Sequence, residues 1–159
     1  MGLQWYIKWG IMGVRGGKWG KHKSFHEYTQ IVYMEEKILY KEESYELIGI
    51  AYAVYNSLGY GHHERVYGDA YQIELRDRAF LFKRERCTKI LHKGKEVGTY
   101  FLDFLVKKEH LIVVELKVGI EFHDRYKKQV LQYLHATGIR LGIIFLFTPS
   151  GVEFKRIVL

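Results

Sequence analysis

The chain has 159 residues, 48% of them hydrophobic, with a single proline, one cysteine and a net charge of +7. That is enough apolar content for one domain with a real core, and it excludes a disordered chain or a disulfide-stapled miniprotein. A transmembrane helix is also excluded, since the longest relevant apolar run, LGIIFLFT at 141–148, is far short of the roughly 20 residues a span needs.

Residues 1–33 are rich in Gly, Trp and Lys and show no sustained period of 2 or 3.6. They carry much of the basic excess, a net +4 within residues 1–30. They read as a poorly structured or non-native extension. Met34 and the EEKILYKEESYELIG that follows read as a natural start, so the domain is expected over 34–159. Lys8 interrupts the N-terminal apolar stretch, which argues against a signal peptide and places the protein in the cytoplasm by expectation.

Apolar residues at 47, 48, 50, 51, 54, 55 and 58 have helical spacing and predict a helix over 42–58. GYG at 59–61 breaks it. A second helix is expected over 62–78, with Val66, Tyr67, Ala70, Ile73 and Leu75 as its apolar positions. The pattern then changes to strands: 84–92, a KGK turn at 93–95, 96–106, a polar turn at 107–110, and LIVVELKV at 111–118. Residues 123–138 predict a helix with Tyr126, Val130, Tyr133 and Leu134 on one side and Gly138 as its C-cap. LGIIFLFT and a final strand, 152–159, close the chain. The expected architecture is α/β: an antiparallel meander of three strands, a helical crossover to a fourth strand pairing in parallel, and helices against the sheet.

The chemistry concentrates at the end of the third strand. Alternation puts Glu115 and Lys117 on one face with Leu111 and Val113, and Ile112, Val114, Leu116 and Val118 on the other. Charges inside a buried strand need compensation. Asp103 interrupts a second apolar run, YFLDFLV, on the preceding strand. Hairpin spacing can bring Asp103 and Glu115 together, and a divalent cation is the natural partner of two such carboxylates, Mg²⁺ or Mn²⁺ for hard oxygen donors. Glu64, in GHHERVY, opens the second helix. Gln129 and Tyr133 lie one turn apart on the helix after ELKV.

In order, Gly61-x-x-Glu64-x-x-Tyr67, Asp103, Glu115-x-Lys117 and Gln129-x-x-x-Tyr133 resemble the GxxExxY family of the PD-(D/E)XK nuclease superfamily, over roughly Leu39 to Leu159. The resemblance implies a restriction-endonuclease-like core and a metal-dependent nuclease, with DNA preferred to RNA as partner. It implies a metal held by Asp103 and Glu115, the Leu116 carbonyl as a further ligand, and Glu64 joining directly or through water. Lys117 would orient water or stabilise the transition state, and Gln129 would position a phosphate or water. Two departures stand out. Leu102 replaces the proline of the superfamily's name, and Phe101-Leu102 replace the Arg-Ala common among members, which removes one basic group beside the site.

Tyr133, His123, Arg84 and Arg86 are further candidate substrate contacts. Arg84 and Arg86 belong to a basic hairpin with Lys83, Lys89, Lys93 and Lys95, a phosphate track if it is not simply a solvated face. HHERVY lacks the second histidine of a zinc protease, and GVRGGKW at 13–19 lacks the Ser or Thr of a phosphate loop. The competing reading is a nuclease-fold module that binds nucleic acid or protein without cutting. The oligomeric state stays open, a dimer included.

Overall fold

The computed structural model describes residues 38–159, and Leu39–Leu159 form one compact unit. The expected extension at 1–33, and residues 34–37 of the expected domain, lie outside the described residues. The elements are α1 (Lys41–Leu58), α2 (Glu64–Asp77), β1 (Leu81–His92), β2 (Lys95–Lys107), β3 (Leu111–Val118), α3 (Asp124–Thr137), β4 (Leu141–Thr148) and β5 (Gly151–Val158). They form a five-stranded sheet in the order β1-β2-β3-β4-β5. β1 to β3 are an antiparallel meander, β3 and β4 are parallel, and β5 returns antiparallel to β4. The expected topology is present.

Each face of the sheet has its own helices. α1 and α2 pack Leu47, Ile50, Tyr67 and Tyr71 against Phe104, Ile112, Val114 and Phe145. α3 packs Tyr126, Val130, Tyr133 and Leu134 against Leu102, Val113 and Ile144 on the other. β4 lies inside the sheet with helices over both faces, so all eight of its residues are buried. Within α2 the buried residues are Tyr67, Gly68, Tyr71 and Leu75, whereas Val66 and Ile73, two of the apolar positions, are exposed. The inward stripe runs at 67, 71 and 75, one residue per turn, and Tyr71 holds its place because its hydroxyl donates to the Leu47 carbonyl at 3.1 Å.

Three local features set where the site falls. Gly59 and Gly61 adopt φ values of 71° and 111° between α1 and α2, which only glycine takes without strain, and the Tyr67 hydroxyl donates to the Gly59 carbonyl at 2.7 Å. This pins the start of α2, and Glu64 with it. The β1–β2 turn is tighter than expected: Lys93 and Gly94, both left-handed, connect paired His92 and Lys95, the geometry a two-residue hairpin requires. Finally, α3 lies so close over β4 that a Cβ on Gly142 would stand 2.4 Å from a Val130 methyl. That approach fixes how far Gln129, next to Val130, reaches toward β3.

Among the described residues, no helix is long and apolar enough to cross a membrane.

Gly142→Ala is expected to lift α3 from the sheet and to cost about 1–3 kcal/mol of stability through overpacking. Urea denaturation of the variant against the parent measures it, and an unchanged midpoint would show that α3 repacks freely.

Candidate active site

The β2–β3 ladder is short. It pairs Phe104 to Lys107 with Val114 to Leu111 and then stops, while β2 continues alongside β1 out to the hairpin turn. The two strands therefore fork at Asp103 and Glu115. The first amide past the fork, Leu116 N–H, donates to the Asp103 carboxylate at 2.7 Å. In return, the Asp103 N–H donates to a Glu115 carboxylate oxygen at 3.4 Å. Side-chain oxygens thus occupy positions that strand backbone fills elsewhere. In a strand, a residue's N–H and C=O leave from the same edge, so the Leu116 carbonyl also points into the fork.

Glu115 is 2% exposed. Its Oε1 accepts from Lys117 Nζ at 2.8 Å and from Gln129 Nε2 at 3.0 Å. Lys117 Nζ also reaches Glu64 Oε1 at 3.3 Å, so the ammonium stands between the two glutamates. Gln129 Nε2 makes a second contact, to the Phe101 carbonyl at 3.2 Å. Four elements, α2, β2, β3 and α3, thus bring together the five residues singled out as catalytic candidates.

The charges are held under stress. Burial, with Asp103 beside it, pushes Glu115 up to about 7 against the pull of Lys117. Burial also raises Asp103, against the Leu116 N–H and Lys117, and it raises Glu64 against Lys117. Lys117 is itself desolvated, which lowers it, but the attraction of Glu115, Asp103 and Glu64 wins and its pKa is raised. The site therefore holds a firmly protonated lysine, a buried carboxylate (Glu115) and a half-buried one (Asp103) that repel each other.

A cavity of about 200 Å³ opens beside the fork, lined by Glu64, Arg65, Gly68, Arg84, Glu85, Asp103, Phe104 and Leu116. Arg84 enters it from β1 across α2. A Cβ on Gly68 would come within 2.9 Å of its guanidinium, and Asp69 holds that guanidinium in an ion pair. Arg65, Gly68 and Asp69 were not legible as site residues in sequence. The available signal was a glycine inside a helical pattern, which marks a close approach.

The remaining candidates separate. Arg84 lies in the cavity wall. The side chain of Arg86 lies outside the described set. His123 occupies the N-cap position of α3 without a side-chain capping bond and remains exposed, with its ring edge-on to Tyr126, whose face Lys117 approaches at 5.8 Å; it stands at the rim, one ring removed from the cluster. Tyr133 is a correction: it is 1% exposed within the core under α3, so it packs the helix and has no free surface for a substrate.

The family model of the PD-(D/E)XK nuclease superfamily matches residues 41–157. The chain belongs to that superfamily. A solved structure titled "Crystal structure of SSO0001" is similar at 22% identity, covering 75% of this chain and 60% of that one, with a TM-score of 0.44. The chain thus spans less than two thirds of the length of that protein. No curated protein matches the chain. The forked mixed sheet between helices is consistent with the restriction-endonuclease-like PD-(D/E)XK fold.

PD-(D/E)XK nucleases generally use divalent metal ions, and the donors here fit one: a buried and a half-buried carboxylate that repel each other and a strand carbonyl, all hard oxygen ligands. Among the described residues, no three His, Cys, Asp or Glu side chains converge as a ready-made cage. An ion in the fork would complete its shell from backbone, water or substrate, with Glu64 reaching it across Lys117 or through water.

Burial pushes Glu115 up from its ordinary 4.5 to about 7 in the folded state. Between those values the folded state binds more protons, so without metal its contribution makes stability fall as pH rises from about 4.5 to about 7, by roughly 3 kcal/mol. Asp103→Asn keeps an acceptor for Leu116 N–H and removes one repelling charge. It is expected to raise stability in chelator at pH 8 by about 1 kcal/mol. Urea denaturation at pH 5 and pH 8 tests both statements, and a less stable Asp103→Asn protein at pH 8 would contradict the repulsion.

Proposed function

We propose that the protein is a metal-dependent nuclease that hydrolyses phosphodiester bonds in nucleic acid, DNA in preference to RNA, and that it belongs to the GxxExxY group of the superfamily. The observation that carries this reading is the fork, where Asp103, Glu115 and the Leu116 carbonyl edge meet Lys117. Asp103 and Glu115, with the Leu116 carbonyl, would hold Mg²⁺ or Mn²⁺. When bound, that ion would supply a lowered pKa for attacking water and neutralise charge on the scissile phosphate.

The chain's own residues do the rest. Lys117 keeps its proton, because three carboxylates surround it, and presents a cation to the attacking water or to the charge that builds on the phosphate. Glu64 and Glu115 fix that ammonium from two sides. Gln129 clamps Glu115 Oε1 and the Phe101 carbonyl together, which holds the carboxylate facing the fork. Arg84, kept in place by Asp69 over Gly68, offers a guanidinium to a phosphate in the cavity, and Arg65 stands beside it. Because Glu115 must be ionised to bind a cation, and burial raises its pKa, metal affinity is expected to weaken as pH falls, which metal titration at two pH values measures.

The test is incubation of the purified protein with Mg²⁺ or Mn²⁺ and labelled single-stranded, duplex and branched DNA, and with RNA. Lys117→Ala runs in parallel and is expected to lose about a hundredfold or more of the rate. Cleavage by the parent and not by the variant supports the nuclease. Binding without cleavage under either metal would instead favour a nuclease-fold module that holds nucleic acid uncut.

A further inference from the structure

The β1–β2 hairpin runs past the end of β3, and it carries Phe101 two residues before Asp103. Phe101 is 63% exposed, although it lies on a strand beside the most desolvated charges in the described structure. Its neighbours Tyr100 and Leu102 pack beneath α3. Strand alternation therefore turns Phe101 to the opposite side of the hairpin, the side on which α2 and Arg84 bound the cavity. Two residues along a strand span roughly 7 Å, so the Phe101 backbone lies within about one side chain's length of the Asp103 backbone. It is also indexed to the site: Gln129 Nε2 holds the Phe101 carbonyl at 3.2 Å and Glu115 Oε1 at 3.0 Å.

A large apolar ring held open to water near a cavity lined by two arginines and three carboxylates contributes nothing to the core. It does fit a ligand with both an apolar face and a phosphate. We infer that Phe101 is a stacking platform for an unpaired base next to the scissile phosphate, so that the substrate is single-stranded at the cleavage point, as in an overhang or a gap. The inference rests on the nucleic-acid reading above. A base inside a duplex has both faces covered by its neighbours, whereas an unpaired base offers a free π-face to an aromatic side chain with little regard to sequence. Arg65 and Arg84 would take the flanking phosphate, and Phe101 the base.

The measurement is made in the Lys117→Ala background, which removes cutting while leaving Phe101 untouched. The probe is a single-stranded DNA oligonucleotide carrying 2-aminopurine, whose fluorescence is quenched on stacking, and a duplex of the same sequence serves as control. Phe101→Ala is expected to abolish the quenching and to weaken single-strand binding by about 5- to 150-fold, with duplex binding little changed. Phe101→Tyr should restore both, and Phe101→Leu should not. Cys87, exposed and directly across the hairpin from Phe101, adds a footprint: the oligonucleotide should slow its alkylation by iodoacetamide.

Single-strand binding by Phe101→Ala equal to its background, equal losses on single strand and duplex, full rescue by leucine, or no binding of any oligonucleotide would each overturn the inference. Cleavage by the protein with Lys117 intact is scored separately. Phe101-dependent quenching without cleavage would remove the nuclease reading and leave the platform. Cleavage that ignores Phe101 would do the reverse.

Discussion

Where the β2–β3 ladder ends, the Leu116 amide hydrogen goes to the Asp103 carboxylate instead of to a backbone carbonyl. Much follows from that exchange. It lets the strands part while no donor at the fork is left unmet, which burial would penalise. It places one carboxylate in the plane of the sheet beside another, Glu115, on the neighbouring strand. It also leaves the Leu116 carbonyl edge open, where a continued ladder would have consumed it. The opening in the sheet and the acidic pair are one feature.

The rest of the molecule steadies this weak point. Two like charges with Glu115 pushed up to about 7 are a liability for a domain whose total stability is of the order of ten kcal/mol. The compensation comes from separate directions. Lys117 bridges from its own strand, Glu64 holds Lys117 from α2, and Gln129 holds Glu115 from α3. The two helices are themselves fixed by close fits, Tyr67 on Gly59 for α2 and Val130 on Gly142 for α3. The site is built from both faces of the sheet, which explains why a chain with so much of its core in β3 and β4 keeps its charges at one end of β3.

Much of this was legible along the chain. Alternation within LIVVELKV assigned the faces of β3, and the apolar periods located every described helix and strand to within a few residues. Asp103, Glu115 and Lys117 marked the cluster because each broke an apolar pattern, and Glu64 and Gln129 joined it through their order along the chain. What misled was helix phase. Val66 and Ile73 look inward by composition, but the stripe at Tyr67, Tyr71 and Leu75 won because three large rings and chains fill more of the sheet's surface than two β-branched residues. Tyr133 was a similar ambiguity, an aromatic near the site by numbering that belongs wholly to the core.

The sequence by itself determined the element order, the faces of the strands and the identity of the charged residues, since these follow from periods of 2 and 3.6 and from the cost of burying charge. Only the tertiary structure decided that the ladder stops at Phe104 and Val114, that Lys117 lies between two glutamates, that Arg84 crosses Gly68 into the cavity, and that Phe101 stays uncovered. Those facts depend on where strands diverge and how closely helices approach. Such distances are set by packing among residues far apart in the chain, and no local pattern encodes them.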